Sequence, residues 1–238
     1  MEGSQPVIRI AVPGEPLDLA GAQALTREID AVARDASVRV VVLVAAGADF
    51  GPGLAHGFEP LDSGLDPPAE LARLRVPVVA GLRGTTASVG LELALGADIR
   101  VAASDTVLAL PDLRAGRLPC WGGTQRLVRL AGPAVATRML LTGASITAGE
   151  ALAAGLVHEV VAPGRLEARV AEIAAELAEL APLALAYAKE AILSGAHLPM
   201  PDALRLEADL NVLLQASADR AEGLAAFLAK RNPAFTGE

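Results

Sequence analysis

Residues Thr85–Ala102 read TTASVGLELALGADIRVA. An apolar run passes from a glycine-bearing turn into a short helix and on into a strand, with one carboxylate, Glu92, inside it. At helical spacing Glu92 meets Ser88 and Gly96 one turn away and Val89 and Leu95 three residues away, none of them positively charged. A buried acid without a partner is costly. Glu92 therefore either turns to solvent, pairs with a distant cation such as Arg83 or Arg100, or serves chemistry.

The flanking sequence sets the architecture. VRVVVLV, from Val38 to Val44, reads as a continuous apolar strand but for Arg39 near its start, the pattern of a strand buried on both faces in a sheet with crossover helices. VPVVAGL precedes the Glu92 helix, and IRVAA and TVLAL follow it. This strand-helix alternation implies an α/β core. Nearer the start, Val7 to Val12 reads as a strand, and Asp18 caps a helix in which Leu25, Ile29 and Val32 recur at helical spacing. The connector FEPLDSGLDPP, rich in proline and glycine, reads as a mobile loop before a helical patch around Leu71 to Leu74.

From Gly122 onward the pattern is mostly helical. Thr147 and Glu150 suit a reciprocal capping box, GLVHEVV is one further strand, and Pro182 opens the helix LALAYAKEAIL. Two more helical stretches run from about Pro201 to Lys230. The expected division is a core with the active site over residues 1–163 and a C-terminal helical part over 164–238.

Composition narrows the function. The chain has 238 residues, 53% of them hydrophobic, enough for one sizeable core and a smaller appended unit. A net charge of −8 argues against a broad electrostatic grip on nucleic acid or on an anionic membrane. Cys120 is the only cysteine and the three histidines are scattered, so no internal disulfide or multi-cysteine metal site is expected. The start, MEGSQPVIRIAV, lacks the pattern of a signal peptide, and no uninterrupted apolar run approaches the roughly 18 residues of a membrane span. These features point to a soluble, cytoplasmic protein.

A second carboxylate, Asp112, follows Pro111 in LALPDLRAGRLPCWGGTQRL, at an element end beside glycine turns. In order along the chain, VRVVVLVAAGADFGPG, VPVVAGLRGTTASVGLELALGADIRVA, LPDLRAGRLPCWGGTQRL, LLTGASITAGEALAAGLVHEVV, APLALAYAKEAI and FLAKRNPAF together resemble the crotonase, or enoyl-CoA hydratase/isomerase, superfamily. The resemblance implies an α/β fold, a spiral of ββα units with a C-terminal helical part, assembled as homotrimers or homohexamers. It also implies an acyl-CoA or acyl-carrier thioester as substrate, with no metal and no cofactor other than CoA as part of that substrate.

The resemblance implies an oxyanion hole of two backbone N–H groups, Leu54 in FGPGL and Val89 in TASVGLE, holding the thioester oxygen as an enolate forms. Backbone donors at a loop and a helix start are preorganised for that charge. Glu92 and Asp112 fall where two-acid hydratases of the family carry glutamates, and so read as the acid/base pair. Aspartate is shorter by one methylene, about 1.5 Å of reach, where a misplacement of about 1 Å costs on the order of a hundredfold in rate. Ser88 and Val89 stand where glycines are usual. Gly53, His56 and Trp121 are the substrate-binding candidates, Trp121 as a flat wall for the acyl group. Lys230 and Arg231 lie where the family approaches the CoA phosphates. The implied activity is hydration of an α,β-unsaturated acyl thioester, or its reversal. Double-bond isomerisation, decarboxylation, or thioester binding without turnover are the alternatives on the same scaffold.

Overall fold

The computed structural model describes residues 7–238. In chain order it places β1 at Val7–Val12, α1 at Leu19–Arg34, β2 at Val40–Ala45, α2 at Pro60–Ser63, α3 at Pro67–Arg73 and β3 at Val78–Leu82. There follow β4 at Thr85–Ala87, α4 at Val89–Gly96, β5 at Ile99–Ala103, β6 at Val107–Ala109, α5 at Gly123–Thr142 and β7 at Ile146–Thr147. The chain continues with α6 at Ala148–Ala153, β8 at Glu159–Val161, α7 at Leu166–Ala178, α8 at Pro182–Gly195, α9 at Met200–Gln215 and α10 at Ala218–Ala229.

The main sheet is parallel throughout, in the order β1-β2-β3-β5-β8, with Leu43 opposite both Ile10 and Ala80, and Ala80 opposite Arg100. The apolar run of β2 has the two-sided burial expected of it. Val41 and Leu43 face a core closed by α1, α3 and α4, whereas Val40 and Val42 face a second core under α7 with Leu166, Val170 and Ala174. Successive strand residues point to opposite faces, so a run buried on both has no alternation to show.

A small second sheet, β4-β6-β7, sits beside the N-terminus of α4. Here Thr85–Ala87 pairs with Val107–Ala109, so a segment read from sequence as a turn forms a strand. The Asp18 cap and the Thr147/Glu150 capping box are both present. The connector expected to be a mobile loop instead carries α2 and α3. Proline at the first turn of each helix and the Asp66 carboxylate, which accepts from the Ala69 N–H at 3.0 Å, start them. Pro60, Pro67 and Pro68 are buried, so these prolines serve packing as well as turning.

Lys189 on α8 ties the C-terminal helices to the sheet: its Nζ donates to the Asp98 carboxylate at 2.7 Å and to the Val76 carbonyl at 3.1 Å. Beyond it, Ile192, Met200, Leu204, Val212, Phe227 and Leu228 leave an apolar surface exposed. Among the described residues no helix is long and apolar enough to cross a membrane.

Candidate active site

Two glycines bring the walls of the site together. Gly51 (φ 65°) precedes the loop through Leu54, and Gly90 lies in the first turn of α4. Their backbones are in such contact that a Cβ on Gly51 would stand 2.6 Å from the Gly90 Cα. The Ala87 N–H donates to the Gly51 carbonyl at 3.0 Å, fixing the same approach.

This contact holds the loop that leads to Leu54 against the first turn of α4, where Val89 lies. Leu54 makes a parallel bridge with Leu17, in which the Leu17 N–H donates to Gly53 and the Ala55 N–H to Leu17, each at 2.9 Å. In that pattern the N–H of Leu54 itself points to the opposite side. Val89 is the first residue of α4, where backbone N–H groups have no intrahelical acceptor. Neither amide finds a backbone acceptor among the described residues. The Val89 side chain is buried in the main core, so the bulk that replaces glycine there is absorbed by packing.

Glu92 is wholly buried. Its Oε1 accepts from the Trp121 N–H at 2.8 Å and the Gly123 N–H at 2.7 Å, while Oε2 has no partner. Burial pushes its carboxyl up to about 7; the Gly123 and Trp121 amides oppose the rise, and the Asp112 charge adds to it. Neither arginine weighed as its partner reaches it. Arg83 pairs with Glu167 at 3.5 Å, and the buried Arg100 donates to the carbonyls of Leu156 and Ala97.

Asp112 is 4% exposed and opens a 3-10 turn, Asp112–Ala115, directly after Pro111. Its Oδ1 accepts from the Ser88 hydroxyl at 2.5 Å, and Oδ2 is unpartnered. Each acid thus has one oxygen held by a donor and one buried oxygen free. Cys120 lies among these charges: burial, then Glu92 and Asp112, push its thiol up to about 12.

The other candidates are distributed more widely. Gly53 adopts φ 144° with open space where a Cβ would stand, while His56 lies in an open cleft with Asp18, Gln23, Glu59 and Asp62. Trp121 is buried in the main core; its backbone amide is what touches Glu92, and its indole N–H has no partner. Lys230 closes α10 in the left-handed conformation, and Arg231 is held by both oxygens of Glu222 at 2.6 and 2.7 Å. Sequence reasoning missed Ser88, whose only signal was a hydroxyl in place of glycine, and Gly123, one residue of a common Gly-Gly pair. Among the described residues no group of three or more His, Cys, Asp or Glu is gathered to hold a metal ion.

Residues 16–238 match the pattern that defines the enoyl-CoA hydratase/isomerase proteins. The chain belongs to that family. It is 37% identical over 222 residues to a 2,3-dehydroadipyl-CoA hydratase of Escherichia coli K12, covering 90% of this chain and 87% of that protein. It is 40% identical over 159 residues to a crotonyl-CoA hydratase of Syntrophomonas wolfei, covering 67% of this chain and 61% of the relative. The crystal structure of an enoyl-CoA hydratase from Bacillus anthracis superposes with a TM-score of 0.92 at 33% identity, over 98% of this chain and 96% of the other. The crotonase fold expected from the sequence is therefore the fold of this enoyl-CoA hydratase/isomerase family member.

Proposed function

We propose that the protein hydrates an α,β-unsaturated acyl thioester, or dehydrates the corresponding 3-hydroxyacyl thioester. The observation that carries this reading is the pair of buried carboxylates, Glu92 and Asp112, each with one oxygen fixed by a donor and one unpartnered. Ser88, which donates to Asp112, immediately precedes Val89, and the Gly51–Gly90 contact holds the loop that leads to Leu54 against the same helix start. The thioester oxygen accepts from Leu54 and Val89, which stabilise the negative charge that develops on it as water adds to the β-carbon and the double-bond electrons shift into the enolate. A carboxylate takes one proton from water as its oxygen bonds to the β-carbon. The carboxylic acid of the pair delivers a proton to the α-carbon, so the pair again holds one proton, now on the other acid, and its passage between them restores the starting state. A carboxyl that titrates near 7 is suited to such exchange at neutral pH. Water and thioester supply every atom of the product, so these steps draw on no further cofactor.

Double-bond isomerisation is the second reading, favoured by the short reach of Asp112, since a single acid then shuttles the proton between two carbons. Loss of the conjugated thioester absorbance with short or medium enoyl-CoA supports hydration, whereas its appearance from a β,γ-unsaturated substrate supports isomerisation. Absence of both with retained acyl-CoA binding, measured by calorimetry, supports a binding protein.

The same reading places CoA, or a carrier-protein arm, on the thioester. Lys230 and Arg231 are proposed for the phosphate end, with Arg231 exchanging its Glu222 partner. The apolar surface on α8–α10 supports a homotrimer or homohexamer, which light scattering of the purified protein tests.

A further inference from the structure

We propose that Ser88 is a positioning residue that sets the Asp112 carboxylate, so that a serine and an aspartate together do the work of one longer acid. This inference rests on the reading of Asp112 as half of the acid/base pair. Ser88 grips the Asp112 segment twice: its hydroxyl donates to Asp112 Oδ1 at 2.5 Å, and its N–H donates to the carbonyl of Ala109, three residues earlier, at 3.0 Å. Its own carbonyl accepts the Glu92 N–H at 3.0 Å. It also immediately precedes Val89, whose amide is the proposed oxyanion donor. One residue thus joins both acids and one donor.

The backbone of Ser88 sharpens the point. With φ 49° and ψ −124° it occupies the side of conformational space that suits glycine, one of only two non-glycine residues at positive φ among those described. The other, Lys230, ends a helix at the surface. Ser88 is buried, and a side chain in this conformation is strained, yet its hydroxyl donates to the Asp112 carboxylate. Holding Oδ1 fixes the rotation of a short side chain, and so fixes where the unpartnered Oδ2 stands. A glycine here would relieve the backbone and leave Asp112 unheld.

Three variants test this: S88A removes the hydroxyl, S88G also releases the strain, and S88G/D112E trades the hydroxyl for a longer acid. With an enoyl-CoA that the wild type hydrates, both single variants are expected to lose on the order of tenfold to a hundredfold in kcat. Their KM should stay within about twofold of wild type, because the thioester contacts are untouched. S88G should melt at or above the wild-type temperature despite that loss, which separates positioning from folding. The double variant should turn over faster than S88G. Wild-type kcat in S88A, a loss confined to KM, or a double variant no faster than S88G overturns the proposal. If the wild type hydrates no enoyl-CoA, the proposed activity fails, and the pairing is then read separately from the 13C carboxyl resonance of Asp112 at fixed neutral pH. A resonance displaced in S88A upholds the pairing, and an unmoved one overturns it.

Discussion

Gly51 and Gly90 meet backbone to backbone: a Cβ on Gly51 would stand 2.6 Å from the Gly90 Cα, and a Cβ on Gly90 would overlap the Gly51 carbonyl oxygen and lie 2.6 Å from its carbon. Neither neighbour is a flexible side chain that can step aside. The contact couples the loop of Leu54 to the start of α4, and with it the spacing of the two proposed oxyanion donors. Gly90→Ala is therefore expected to destabilise the fold by about 3 kcal/mol or more, toward the upper end for overpacking. Any fraction that folds should have lost activity. Urea denaturation beside single-turnover kinetics checks both, and a wild-type denaturation midpoint in the variant would contradict the expectation.

Glu92 should make stability depend on pH in a direction opposite to an ordinary surface acid. Its carboxyl is raised from 4.5 to about 7 in the folded chain, first by burial. Between those values the folded state binds more protons than the unfolded state, so the stability gained is complete below about 4.5 and lost as pH rises through about 7. Glu92→Gln keeps the size of the side chain and removes the titration. Relative to wild type, this variant should gain on the order of 3 kcal/mol between acid and mildly alkaline pH. It should also lose on the order of a hundredfold or more in turnover, the usual cost of removing an acid/base group. Denaturation midpoints of both proteins across that pH range supply the test, and parallel pH curves would count against it.

Cys120 is expected to be chemically quiet in spite of its half-open position. Reaction with alkylating reagents needs the thiolate, and burial beside Glu92 and Asp112 pushes the thiol to about 12. Iodoacetamide at neutral pH should label the folded protein far more slowly than the urea-unfolded chain. Mass spectrometry of the two time courses decides the matter, and equal rates would place the thiol outside the field of the two acids.

The difference between what was legible in the sequence and what was not follows from range. β2 was legible because burial on two faces writes itself as an unbroken apolar run, and the α6 capping box because its two partners lie three residues apart. Both carboxylates were legible as candidates because each sits in a locally recognisable stretch. The restraints upon them were not, since Trp121 and Gly123 lie 29 and 31 residues from Glu92, and Ser88 lies 24 from Asp112. A backbone N–H carries no mark in the sequence that distinguishes a ligand of Glu92 from any other amide. The connector before β3 was misread because its prolines signal chain breaks equally in a loop and at the first turn of a helix, and only their burial tells the two apart.

The attachment of α8 rests on a buried ion pair, Lys189 with Asp98 at 2.7 Å, and such pairs respond unevenly to mutation. Asp98 Oδ2 also accepts the Val78 N–H at 2.8 Å, so the acid anchors the start of β3 and the lysine joins α8 to that anchor. Burial holds the Lys189 amine below its ordinary range, with the Asp98 charge opposing the shift, so desolvation consumes part of what the pair gains. Removing one partner leaves the other in a poorly hydrated place. Lys189→Met should cost about 2 kcal/mol, below the 3–5 kcal/mol of a fully enclosed pair, because the Asp98 side chain is 20% exposed. Asp98→Asn alone should cost a similar amount, since an amide oxygen still accepts from Val78 but the lysine loses its counter-charge. The combination D98N/K189M removes both charges together and should cost less than the sum of the two single changes. Denaturation of the four proteins closes the cycle. Strict additivity would mean that α8 is held by its apolar contacts, with the ion pair contributing nothing to its docking.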